Sequence, residues 1–361
     1  MTIFVLLIAL LFAMGVTPLI RELAYRINFV AIPKSDRLHT QTTPLMGGVA
    51  LYIGFTVSIL LLMIVIEVFG VVREPDASLQ FEDMLAILAG ATAFAMIGLW
   101  DDWRDLNSKV KLLLQMVTVI AFVISTDTQI DMPIPDFLNT FFTICWFLYV
   151  MNAFNYMDNM DGVAGMTATV AGMFFTVIAL INGQNLLAGL AAAVAGGSFG
   201  FLRYNLFHER KIFMGDVGSL FLGFLLAAIG LILRFQAESP LITWPVPVLI
   251  LGVPIFDTAL VFISRMRRGQ SFLQGGTDHL SHRMSRMNFG RFGVPFAIGL
   301  LGSALGCTAI IIMYSTLEDS LAIQVFVAVC AAFMLWKLEY APDYEFITGK
   351  SLPAENQVDG S

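Results

Sequence analysis

The chain has 361 residues, of which 58% are hydrophobic and 13% charged, and its mean hydropathy is +0.80. That balance excludes a water-soluble globular protein, because too few polar residues are available to cover a surface of this size. The formal net charge of −7 conceals a segregation of signs along the chain and carries no footprint of nucleic-acid binding.

A helix needs roughly 20 apolar residues to cross the hydrocarbon core of a bilayer. Eleven runs of about that length follow one another, at 2–20, 46–68, 84–100, 110–126, 137–153, 162–181, 185–202, 217–233, 244–264, 292–313 and 320–336. The first has no basic flank before it and no small-residue cleavage site after it, so it reads as a retained helix rather than a signal peptide. The expected fold is an all-α polytopic membrane protein of about 11 transmembrane helices. Residues 1–337 read as one transmembrane catalytic domain with catalytic loops, and 338–361 as a polar tail, with Pro342 and Pro353, expected to be disordered.

Lys and Arg are retained on the cytoplasmic side of membranes. With the N-terminus outside, an odd helix count places eighteen of the 20 basic residues on one side and leaves Arg73 and Arg234 on the other. The C-terminus is then cytoplasmic. Cys145, Cys307 and Cys330 all fall inside apolar runs without metal-like spacing and read as packing residues, with no disulfide framework.

Carboxylates at the ends of membrane helices are costly unless paired or used, and here they gather on the expected cytoplasmic side. Asp101 and Asp102 close the third run. Adjacent helical residues point about 100° apart, so at most one of the two faces a common site while the other braces a neighbour. After the fifth run come Asn155, Asp158 and Asp161; on a helix they would share a face, where two like charges call for a cation between them. A third cluster runs from Asn205 through Phe213 to Gly215-Asp216-Val217-Gly218 at the start of the eighth run. Free backbone N–H groups there suit phosphate oxygens, Asp216 suits a metal, and Phe213 suits stacking on a base; an ordinary N-cap with close-packed glycines is the alternative. A basic loop carries Arg265, Arg267 and Arg268 and then His279, His282 and Arg283, a grouping suited to anion binding and too poor in ligands for zinc. Asp257 follows Pro254 inside the ninth run, and His39, Pro44, Gly47 and Gly48 lead into the second.

In this order the motifs His39-x4-Pro44-x2-Gly47-Gly48, Asp101-Asp102, Asn155-x2-Asp158-x2-Asp161-Gly162, Phe213-Met-Gly-Asp216-x-Gly-Ser219 and His279-x2-His282-Arg283 resemble the polyprenyl-phosphate N-acetylhexosamine-1-phosphate transferase family, which includes WecA, TagO and MraY. The resemblance spans residues 1 to about 337 and is nearer to the WecA and TagO branch, although Ser281 stands where WecA-like chains commonly carry a further histidine. It implies transfer of a sugar-1-phosphate, GlcNAc-1-phosphate or a related N-acetylhexosamine phosphate, from a UDP-sugar to undecaprenyl phosphate with release of UMP. It implies Mg²⁺, with Mn²⁺ as a substitute, on Asp216 and Asp161, and catalytic roles among Asp101, Asp102, Asp158 and Asp161. Substrate contacts are implied for His39, Lys109, Asn155, Asn205, Phe213, His279, His282 and Arg283, Lys109 resembling the basic residue that follows the family's aspartate pair. The setting implied is the bacterial inner membrane with the site facing the cytoplasm; whether one copy or a homodimer acts is open. A phospho-MurNAc-pentapeptide transferase and an ion-coupled carrier are the alternatives, and a carrier would place its carboxylates at helix midpoints, where only Asp257 comes near.

Overall fold

The structure is a computed structural model that describes residues 1–31, 42–69, 79, 81–126, 128–207, 210–235, 239–271, 276–287 and 289–340. In chain order the helices are α1 (Thr2–Arg26), α2 (Gly47–Phe69), α3 (Phe81–Arg104), α4 (Ser108–Thr126), α5 (Asp136–Met157), α6 (Val163–Ile181), α7 (Asn185–Asn205), α8 (Gly215–Ile232), α9 (Pro240–Thr243), α10 (Pro245–Ile250), α11 (Gly252–Arg267), α12 (Leu280–Arg286), α13 (Gly293–Met313) and α14 (Leu317–Tyr340). Two strands of two residues, β1 (Val30–Ala31) and β2 (Thr43–Pro44), pair antiparallel between α1 and α2. Among the described residues ten helices are long and apolar enough to cross a membrane, and the segments 241–250 and 252–267, bent by 76°, pass the same test as a pair, which brings the count to eleven when the pair is taken as one broken span. The protein is thus an all-α polytopic membrane protein, with the ninth apolar run broken rather than continuous. Pro254 explains the break: it has no N–H to donate, and its ring conflicts with the carbonyl four residues earlier, that of Ile250, where α10 ends.

α7 and α8 form the buried centre, and the other spans surround them. Side chains as small as Ala188, Ala191, Ala192 and Ala195 let neighbouring backbones come close along α7, the means of helix association open to a protein whose solvent is already apolar. Around α8 the packing is aromatic, with Phe224 at 4.9 Å from Phe94, 5.1 Å from Phe122 and 5.7 Å from Phe147 between ring centroids. α14 is the opposite case, almost bare along its apolar length, as a helix facing lipid should be. Cys145, Cys307 and Cys330 are also exposed on this outer surface, so they are free thiols facing outward rather than core packing residues.

Polar contacts tie helix ends together at one end of the bundle. The ends of α3 and α5 meet the starts of α4 and α8, Asn205 at the end of α7 meets Gly162 before α6, and Arg267 at the end of α11 meets Glu339 near the end of α14. Arg234 lies at the other end of α8, where its backbone N–H donates to Gln184 Oε1 at 3.1 Å. Helix α14 runs to Tyr340 and buries Leu338 and Glu339; the expected tail from 341 onward lies outside the described residues.

Candidate functional site

α8 begins with Gly215 at φ +71°, a left-handed conformation that glycine adopts without strain. This turn aims the first N–H groups of α8 at Asp102, whose carboxylate accepts from Asp216 N at 3.0 Å and Val217 N at 3.2 Å. Asp102 therefore caps α8 from another helix, satisfying donors that a helix start leaves unpaired. The approach is tight: a Cβ on Gly98 would lie 2.3 Å from the Asp216 carbonyl oxygen, and one on Gly48 would lie 2.1 Å from Gly218 N. Gly98→Ala is accordingly expected to push α3 off α8 and loosen the cap, at about 1–3 kcal/mol or more for overpacking against backbone. Thermal unfolding in detergent checks this, and an unchanged midpoint would show that the two helices can separate freely.

Lys111, on the second turn edge of α4, enters the space beside the cap. Its ammonium pairs with Asp101 Oδ2 at 2.8 Å, donates to Asp216 Oδ2, and reaches Asn155 Oδ1 at 3.3 Å. Asn155 Nδ2 donates to Asp216 Oδ1 at 2.9 Å and to Ser219 Oγ at 2.8 Å, so both oxygens of Asp216 are held. Asp101 also accepts from Leu106 N at 2.8 Å. The two adjacent aspartates thus divide as helical geometry requires, Asp101 to the lysine and Asp102 to the backbone of α8.

α5 ends at Met157, and Asp158 to Gly162 form a turn rather than the helical face that would align Asp158 with Asp161. Gly162, at φ +78°, redirects the chain into α6. Asp161 pairs with Lys211 at 2.7 Å and has the Arg291 guanidinium 3.6 Å away. Lys211 in turn sits 4.7 Å above the Phe213 ring, whose backbone is fixed by Phe213 N donating to Pro44 O at 2.9 Å. Asp158 is different: it is half-buried, and among the described residues no group donates to its carboxylate. Burial first, and then the neighbouring Asp216 and Asp161 charges, push its carboxyl up to about 8.

The histidine segment reaches this region through Ser281, whose Oγ donates to Asn159 Oδ1 at 2.6 Å. His279 Nδ1 is 2.8 Å from Asp257 Oδ2, and Asp257 Oδ1 accepts from Leu280 N at 2.6 Å. Asp257 is therefore the buried partner that orients His279 rather than a midmembrane ion-coupling group. His282 is held at about pKa 4, chiefly by burial, with His279 and Arg286 adding to the effect, so it is neutral at physiological pH. As a neutral ring it offers hydrogen bonding and no positive charge.

Three of the expected site residues lie in settings that the sequence does not show. Lys109 is exposed in the first turn of α4; two residues apart on a helix is about 200°, and it is Lys111 that faces the aspartates. Arg283 is fully buried and donates to Asp278 O at 2.7 Å, Leu338 O at 2.7 Å, Ser264 Oγ at 2.9 Å and Glu339 at 3.2 Å, so it braces α12. Asn205 is buried and ties Gly162 N at 2.5 Å to Ile212 O at 3.0 Å, again a brace. His39 lies outside the described residues. Lys111, Lys211 and Arg291 are not singled out by sequence: Lys211 lies inside the cluster from Asn205 to Ser219, whereas Lys111 and Arg291 stand nine and eight residues past Asp102 and Arg283.

Glu339 joins the bare helix α14 to this framework through Arg283 and through Arg267 at 2.8 Å. Both Glu339 and Arg283 are buried, so Glu339→Ala leaves a desolvated guanidinium without its counter-charge. A loss of about 3–5 kcal/mol is expected. A lowered unfolding midpoint for Glu339→Ala, with a smaller change for Glu339→Gln, is the result to look for.

Fold and site together define a multi-pass membrane protein with a carboxylate and ammonium cluster where helix ends converge. Comparison with known proteins narrows the class. The model of the family described as Glycosyl transferase family 4 matches residues 84–234. A probable undecaprenyl-phosphate N-acetylglucosaminyl 1-phosphate transferase of Bacillus subtilis (strain 168) is 31% identical over 326 residues, covering 88% of this chain and 86% of the relative. The undecaprenyl-phosphate alpha-N-acetylglucosaminyl 1-phosphate transferase of Escherichia coli (strain K12) is 26% identical, covering 82% and 79%. A phospho-N-acetylmuramoyl-pentapeptide-transferase of Bacillus cytotoxicus is 28% identical, covering 83% and 94%. The chain belongs to this family, the polyprenyl-phosphate N-acetylhexosamine-1-phosphate transferases.

Proposed function

We propose that the protein transfers N-acetylhexosamine-1-phosphate, with GlcNAc-1-phosphate as the first candidate, from its UDP-sugar to undecaprenyl phosphate at the cytoplasmic face of a bacterial inner membrane. The observation that carries the reading is the Asp101–Lys111–Asp216–Asn155 cluster with the unpaired Asp158 beside it, set where helix ends meet. A polyprenyl phosphate reaches such a place from the bilayer and a nucleotide sugar reaches it from water. The names of the relatives from Bacillus subtilis and Escherichia coli support the sugar and the lipid.

In the proposed reaction an oxygen of the lipid phosphate forms a bond to the β-phosphorus of the UDP-sugar. The bond from that phosphorus to the bridging oxygen breaks, and UMP leaves with that oxygen. The two substrates repel each other, so positioning and screening dominate the barrier.

Mg²⁺ fits the donor set, although among the described residues no three His, Cys, Asp or Glu side chains are gathered as ligands. Mg²⁺ usually takes one or two carboxylates and completes its shell with phosphate oxygens and water. Asp216, with Asp161 or Asp158, would hold it; in the structure the Lys111 and Lys211 ammoniums stand against Asp216 and Asp161, and Asp158 is unpaired. With Lys111, Lys211 and Arg291 set against Asp101, Asp102, Asp158, Asp161 and Asp216, the fully ionised cluster is short by the charge of one divalent cation. When bound, the ion would screen the phosphates and polarise the phosphoryl group. The chain's own work is done by Asn155, which orients Asp216, by Asp102, which fixes the start of α8, and by Asp101, which positions Lys111. Phe213 and the neutral His282 would meet the nucleotide and sugar.

The test is UMP release by purified protein in detergent with undecaprenyl phosphate, Mg²⁺ and UDP-GlcNAc, then other UDP-sugars. Release that needs both lipid and metal is expected. Folded protein that releases no UMP from any UDP-sugar would overturn the transferase reading.

A further inference from the structure

The Arg291 side chain, in the turn before α13, is three-quarters buried, and its Nε and Nη2 atoms are inaccessible to solvent with no hydrogen-bond acceptor among the described residues. Its nearest carboxylate, Asp161, is at 3.6 Å from Nη2, beyond hydrogen-bonding range, and already holds Lys211 at 2.7 Å. Nε and Nη2 are the two donors along one edge of a guanidinium, the edge that matches two oxygens of a carboxylate or phosphate. Donors buried without acceptors carry their desolvation cost uncompensated, so a folded chain that keeps two on one side chain gains when an oxyanion fills them.

We propose that Arg291 is a substrate-binding residue whose Nε and Nη2 edge takes two oxygens of a substrate phosphate, an inference that rests on the transferase reading. Asp161 is then the group that keeps the guanidinium near the acidic turn without saturating it. Lysine cannot replace this fork, because its ammonium carries the charge without the paired geometry. The phosphate comes from the nucleotide sugar or from the polyprenyl phosphate, and the two sources separate in kinetics.

Wild type, Arg291→Lys and Arg291→Gln are compared by UMP release, varying UDP-GlcNAc at saturating undecaprenyl phosphate and then the reverse. Calorimetric titrations with UMP and with undecaprenyl phosphate, each alone, provide readouts that need no turnover. Arg291→Gln is expected to raise one KM roughly 10- to 100-fold, the loss of a charge-assisted hydrogen-bond pair, with a smaller change in kcat. A raised KM for UDP-GlcNAc with weaker UMP binding assigns the fork to the nucleotide; a raised KM for undecaprenyl phosphate with UMP binding intact assigns it to the lipid. Arg291→Lys serves where the glutamine variant does not fold, and it should show the same selective KM change. Unchanged KM values and unchanged binding of both molecules, in folded variants, would overturn the proposal and leave Arg291 as a structural neighbour of Asp161. A wild type that releases no UMP would instead sink the transferase reading, and the titrations would still decide the role of Arg291.

Discussion

Asp216→Asn is expected to lower turnover about 10³-fold while the protein still folds. Asparagine matches the shape of aspartate and can keep one acceptor, yet in either orientation it brings an N–H₂ group against one of two donors, the Lys111 ammonium or Asn155 Nδ2. The cap on α8 is unaffected, because Asp102 bonds to backbone N–H groups of residues 216 and 217 and not to the Asp216 side chain. What disappears is a negative charge at the point where, in the proposed reaction, a cation would screen two phosphates. Stabilisation of that kind contributes several kcal/mol, and about 4 kcal/mol corresponds to 10³-fold in rate. UMP release under saturating substrates, with unfolding midpoints for both proteins, makes the comparison. Near-normal turnover in a folded variant would remove Asp216 from the centre of the reaction.

Lys111→Met is expected to damage stability and activity together. Methionine preserves most of the apolar stem and deletes the ammonium, leaving Asp101 and Asp216 without the cation that separates them. Breaking a buried pair from one side costs about 3–5 kcal/mol, because the charges left behind remain desolvated. Turnover should fall by at least about 100-fold, since the orientation of Asp216 depends on this contact. Lys109→Met is the control: exposed in the same helix turn, it should change stability by about 0.5 kcal/mol or less. Equal effects of the two substitutions would mean that the cluster does not depend on which lysine faces inward.

That pair of lysines shows where sequence reasoning reached its limit. Apolar runs were legible because lipid demands them, and the carboxylates stood out because charge at helix ends is rare. The break in the ninth span had a visible cause in Pro254, but one apolar run remained when read by hydropathy alone. Which lysine enters the site depends on the rotation of α4, set by packing against α3 and α5 and not by its own residues. The division between Asp101 and Asp102 was legible as geometry, whereas the assignment of each was not, because Asp102 finds its partners more than a hundred positions away at residues 216 and 217. Arg283 is a related case: an arginine beside two histidines reads as an anion site, and the fold delivers Glu339 and the Leu338 carbonyl to it.

The close contacts at Gly48 and Gly98 bear on how such a chain can change over generations. At both positions a single added carbon would collide with backbone, in the helix that carries Asp216, so inheritance offers these sites no neutral alternative. Along α14, by contrast, residues such as Val325, Phe326 and Val329 are largely exposed, and one apolar side chain serves about as well as another. Divergence to 26% identity from a relative can therefore accumulate on the lipid-facing helices while the few positions around α8 stay fixed.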